Sequence, residues 1–143
     1  MSQTISITAI ASVSPLGNEP ETIWNNYQNP NPCFQSQFLD QKDTLVGPLD
    51  EDSKAQVEAL RQSDSKYKSL DNSVLYAMLA SRQAIAKAGW SKNDVFGINI
   101  GSSRGATYLF EQHFQEYIAT GKAQTLASPT TTLGNISSWV AHD

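Results

Sequence analysis

A chain of 143 residues, 39% hydrophobic and 17% charged, has the size and composition of one soluble globular domain. It holds no apolar run near the ~20 residues of a membrane helix and no basic, leucine-rich leader of a signal peptide. Its formal charge is −4 with the basic residues scattered, which disfavours nucleic acid as a partner, and its single cysteine excludes an internal disulfide and fits a reducing, cytoplasmic setting.

Thr4 to Val13 alternates Ile5, Ile7 and Ala9 before shifting to Ile10, which predicts a largely buried strand. Ser14-Pro15-Leu16-Gly17-Asn18 ends it as a turn. Glu21 to Gln28 predicts a short helix with Ile23, Trp24 and Tyr27 on one side, and Glu19 and Glu21 near its positive end. Asn29 to Asp52 is irregular and suggests a loop with a short hairpin or isolated strands. Ser53 to Arg61 predicts a helical turn or two, and Ser63 to Ser69 a polar, exposed stretch.

Asp71 to Ala88 carries the most regular helical pattern, with Val74, Leu75, Met78, Leu79 and Ile85 at spacings of three, four and seven. Asp71 is its expected N-cap and Gly89 its stop. Val95 to Ile100 predicts a second buried strand. A further helix starts at Arg104 or Gly105 and ends at Gly121. A last one starts near Pro129, with Ser128 as N-cap, and runs past Asp143. Strands alternating with helices indicate an α/β layered fold. Two strands cover poorly the apolar helices around them, so the domain reads as unfinished.

Five segments recur in the order and spacing of a known family: Val13-Ser14-Pro15-Leu16-Gly17 with the Trp24 helix behind it, Leu70-Asp71, Ala88-Gly89-Trp90, Gly97-Ile98-Asn99-Ile100-Gly101-Ser102-Ser103-Arg104-Gly105, and the run from Ser128-Pro129 to Ala141. On these the chain resembles the N-terminal part of a β-ketoacyl-acyl carrier protein synthase. The resemblance implies a thiolase-like fold, of which residues 1–143 would form a partial N-terminal ketosynthase domain, truncated before the catalytic cysteine. It implies decarboxylative condensation of malonyl-carrier protein with an acyl thioester, in fatty acid or polyketide synthesis. It also implies acyl carrier protein as partner, a homodimer or ketosynthase-like heterodimer, and no metal or organic cofactor.

Under that resemblance the cysteine and two histidines of the reaction are expected beyond Asp143, and the 143 residues alone are expected to be inactive. Cys33, in the Asn-Pro stretch, reads as a structural thiol. His113 and His142 read as ordinary surface or boundary histidines. Arg104 aligns with a position that gates the acyl pocket and is usually apolar, and Thr131 with one that lines the partner subunit's pocket. Lys68 matches a position where the family docks its carrier protein, with Lys66 close by as a second docking candidate.

Two other readings compete. Gly101-Ser102-Ser103-Arg104-Gly105 satisfies the G-x-S-x-G pattern of a serine hydrolase with Ser103 as nucleophile, but the acid and histidine it needs are poorly supplied. A non-catalytic ketosynthase-like partner, of the chain-length-factor type, is the third. Taken alone, the partial ketosynthase domain is also expected to expose apolar surface along its unfinished sheet edge.

Overall fold

The computed structural model describes residues 4–91 and 93–143. In chain order the elements are α1 (Pro20–Gln28), β1 (Gln35–Leu39), β2 (Lys42–Val46), α2 (Glu51–Ser63), a 3-10 turn (Ser65–Tyr67), α3 (Asn72–Ala88), α4 (Thr107–Thr120), α5 (Ala127–Thr131) and α6 (Asn135–His142). Among the described residues this is a mixed α/β unit of six helices and one two-stranded sheet.

Helix α3 organises the core. Its bounds follow from its ends: Asp71 Oδ1 accepts the Ser73 N–H at 2.8 Å, and Gly89 takes φ 71°. That left-handed residue lets the Gly89 and Trp90 N–H groups return to Ala86 and Ile85 oxygens. Val74, Leu75 and Met78 are fully buried on one face of α3. They meet Val57 and Leu60 from α2, Tyr67 and Leu70 from the connecting loop, and Ile136 and Val140 from α6. Each large side chain so buried contributes about 1.5–3 kcal/mol.

Several elements differ from expectation, each for a local reason. Helix α2 is longer than a turn or two because Asp50 caps it, accepting from Ser53 N at 2.9 Å, with Glu51 and Asp52 in its positive first turn. The polar stretch 63–69 is not wholly exposed, since Tyr67 turns into the core. Helix α4 starts at Thr107 rather than at residue 104 or 105, because Gly105 sits at φ 62°. The single closing helix is two helices. The chain turns extended at Thr132 (ψ 148°), and buried Asn135 donates its side-chain amide back to the Thr130 carbonyl across the break. Pro129 therefore lies inside α5, and Ser128 caps nothing.

The two expected strands are not strands. Among the described residues, neither 4–13 nor 95–100 joins a backbone ladder, and Ile5 and Ile7 are 93% and 80% exposed. An extended segment becomes a strand only when a neighbour takes its N–H and C=O groups, and among the described residues β1 and β2 form the one sheet, beside an isolated Ser14–Gly17 bridge. Residues 95–100 keep the alternation that suggested a strand. Phe96, Ile98 and Ile100 are half-buried, and Val95, Gly97 and Asn99 are exposed. Ser137 of α6 substitutes for a strand partner at one point, its Oγ accepting from Ile100 N at 3.3 Å and donating to Ile100 O at 3.2 Å.

The observed sheet is the short hairpin expected in the irregular stretch. It pairs Gln35 with Val46 through Leu39 with Lys42. Asp40 (φ 48°) and Gln41 (φ 63°) form its two-residue turn, the left-handed pair that matches the twist of a tight hairpin.

Candidate functional site

Between α2 and α3 the chain makes a short loop whose every corner is tied. Asp64 Oδ1 accepts the Lys66 N–H at 2.9 Å, and the Leu70 N–H returns to Tyr67 O at 3.1 Å. Hydrogen bonding from the Lys66 N–H is the main cause holding the Asp64 carboxyl below its ordinary pKa. The Tyr67 ring packs edge-on to Trp139 of α6 with centroids 6.1 Å apart. Its hydroxyl donates to Asp143 at 2.7 Å, and this bond is the main reason its pKa is raised. The same carboxylate takes Arg82 Nε at 2.7 Å, which raises the arginine further and keeps it charged.

This loop carries Lys66 and Lys68, both exposed. Lys66 Nζ lies 3.7 Å from Asp64 and 3.1 Å from His142 Nε2. Lys68 forms no ion pair among the described residues and stands at the rim of a groove of about 650 Å³. Arg61, Leu70, Tyr108, His113 and Leu126 also line that groove, so α2, α4 and the approach to α5 all contribute to it.

Arg61 is a residue the sequence did not single out. Its guanidinium donates to the Lys68 and Leu70 carbonyls at 3.4 and 2.9 Å and to the Asn72 side chain, while Nε lies 3.2 Å from Glu58. The signal visible in sequence was only an ordinary Glu58–Arg61 spacing on a helix, which says nothing of the loop beyond it. The second role of Asp71 was equally hidden: its Oδ2 accepts from Leu109 N in the first turn of α4.

The other singled-out residues lie apart from the lysine loop. Arg104 is exposed on the loop before α4, where Ser102 Oγ accepts the Gly105 N–H at 2.9 Å. Thr131 is half-buried at the end of α5, its hydroxyl bonded to Ala127 O at 2.6 Å. Cys33 is half-buried before the hairpin. His113 lines the groove, and His142 sits between Lys66 and the edge of Trp139. No histidine is hydrogen-bonded to Ser103 among the described residues, and Ser103 lacks the positive φ of a strained nucleophile turn. No group of three or more His, Cys, Asp or Glu among the described residues could hold a metal ion. No helix of the described residues is long and apolar enough to cross a membrane.

The family model of the beta-ketoacyl synthase N-terminal domain matches residues 2–142. This chain belongs to the β-ketoacyl synthase family. The crystal structure of a beta-ketoacyl synthase from Burkholderia phymatum STM815 superposes with a TM-score of 0.75 over 95% of the chain, at 20% sequence identity. That likeness is one of fold, and it places the helices here in part of a thiolase-like ketosynthase architecture. The chain spans 35% of the length of that protein. No curated protein matches it. The glycine-rich loop at 101–105 links the extended segment 95–100 to α4.

Proposed function

We propose that this chain is the N-terminal part of a 3-oxoacyl-[acyl-carrier-protein] synthase. In the complete enzyme a cysteine thiolate takes an acyl group from its carrier thioester, releasing the carrier thiol. Malonyl-carrier protein loses CO2, and the carbanion left behind attacks the enzyme thioester to form the new carbon–carbon bond. The cysteine and two histidines of that reaction belong to sequence outside these 143 residues, and the active form is a dimer. The family match over residues 2–142 carries this reading.

In this reading Lys66 and Lys68 meet the acidic carrier protein, which suits a chain that is acidic overall but cationic at this loop. Arg104 and Thr131 serve the acyl pocket. A cation at position 104 carries little desolvation cost where it is exposed, so Arg104 acts at the pocket mouth rather than in its apolar interior.

The test has two arms. Incubated with malonyl- and acyl-carrier proteins, the 143-residue chain yields no 3-oxoacyl product; product formation sinks the assignment of the cysteine and histidines to sequence outside it. Titrated with acyl carrier protein at low salt, the chain binds, and Lys68→Ala with Lys66→Ala weakens binding. Equal binding by wild type and double variant removes the lysines from the docking site.

A further inference from the structure

We infer that Arg61 is a positioning residue for the carrier-docking loop, acting through the backbone that presents Lys68 and not through its own charge. The inference rests on the docking reading above, but its geometric basis is independent of it. The guanidinium bonds to the carbonyls on either side of Ser69, those of Lys68 and Leu70, and also to the Asn72 side chain in the first turn of α3. One planar group thus spans the loop from the lysine to the helix that follows it.

The rest of the loop explains why such a clamp matters here. Asp64 and the Tyr67–Leu70 turn fix its first half, and the buried Tyr67 ring anchors its middle. Lys68 and Ser69 are exposed and have no side-chain hydrogen bond or ion pair among the described residues. Their backbone is held on the α2 side by Arg61. A lysine on a loose loop loses conformational freedom on each docking event, whereas a lysine on a fixed loop has already lost part of it.

Charge alone does not account for the arrangement. Arg61 is the more buried partner of its ion pair, with Glu58 3.2 Å away, and its remaining donors point at the Lys68 and Leu70 carbonyls and the Asn72 side chain. Its field at the loop surface is largely offset by Glu58. Nη1 serves both loop carbonyls while Nη2 reaches the Asn72 side chain, a fixed planar spacing of two nitrogens that a single lysine ammonium cannot reproduce.

The experiment compares Arg61→Gln, which removes the charge, with Arg61→Lys, which keeps it, against Lys68→Ala. Acyl carrier protein affinity is measured at low salt, and amide hydrogen exchange over residues 64–71 is measured without the carrier. We expect both Arg61 variants to bind carrier about fivefold to tenfold more weakly and both to exchange faster across 68–70, with unchanged protection in the centre of α3. Full affinity in Arg61→Lys with loss in Arg61→Gln would assign the effect to charge and overturn the inference. Unchanged exchange at 68–70 in both variants would overturn it as well. Faster exchange in a protein that binds no carrier even as wild type would sink the docking reading while leaving Arg61 as the clamp of this loop.

Discussion

The Asp71 carboxylate closes two helices at once. One oxygen caps α3 through Ser73 N, and the other accepts the Leu109 N–H of α4 at 3.1 Å. With the Asp71 residue only 8% exposed, both bonds sit away from water, and the starts of two helices distant in sequence are fixed to one group. Asp71→Ala should cost about 2–3 kcal/mol, from the lost cap and a stranded α4 donor. Asp71→Asn should cost less, because the amide oxygen still serves one helix. Urea unfolding of the three proteins checks the order; an alanine variant as stable as wild type would remove Asp71 from the role.

Gly105 is the hinge between the Arg104 loop and α4. Its φ of 62° is unfavourable for any residue with a Cβ, and an added Cβ would lie 3.3 Å from Leu133 Cδ2. Gly105→Ala is expected to lower stability by about 1–2 kcal/mol, read as a fall in thermal midpoint. Gly97→Ala, where nothing lies within 4 Å, is the control and should leave it nearly unchanged.

Two fully buried side chains at helix packing faces should respond in opposite senses. Met78→Ala opens a cavity in the α3 core and should cost about 2–5 kcal/mol. Ser53 Oγ, buried on α2, has no hydrogen-bond partner among the described residues. Ser53→Ala should therefore be neutral or raise stability by up to about 1 kcal/mol. Denaturant midpoints measured at a common slope distinguish the two.

Both pH limits of stability should report on the lysine loop. Asp64 has a lowered folded pKa, chiefly from the Lys66 N–H. Its contribution is fully present above the ordinary carboxylate value of about 4 and is lost as pH falls through the lower folded value. Tyr67 has a raised folded pKa, chiefly from its bond to Asp143. Its contribution is fully present below the ordinary phenol value of about 10 and is lost as pH rises through the higher folded value. Asp64→Asn should flatten the acid limb of a stability–pH curve and Tyr67→Phe the alkaline limb. Limbs unchanged by either variant would show that other groups set them.

What the sequence disclosed was what local chemistry decides. The Asp71 cap, the Gly89 and Gly121 stops and the apolar spacing of α3 were all readable, because each acts within a turn or two of chain. Ile5, Ile7 and Val95 misled for the opposite reason. Their alternation is a statement about two faces, and strand formation depends on neighbours that periodicity does not name. The break at Thr132–Gly134 was hidden because it is held by Asn135 reaching back to Thr130, a bond no propensity encodes. Of the candidate site, the lysines were visible as charges, but the groove beside them joins α2, α4 and α5 and exists only in three dimensions.

The seat of α6 on α3 also bears on the order in which the molecule assembles. Helix α2, the 3-10 turn and α3 meet as sequence neighbours, whereas α6 contacts α3 only after the whole of α4 and α5 has been laid out between them. Closing that long loop carries an entropic cost that the α2–α3 pair avoids. The helical hairpin should therefore form early, with the Leu75 and Met78 face partly uncovered until α6 arrives. During synthesis this interval lasts until residues 135–142 have left the ribosome, and through it the nascent chain displays the kind of apolar surface that chaperones recognise.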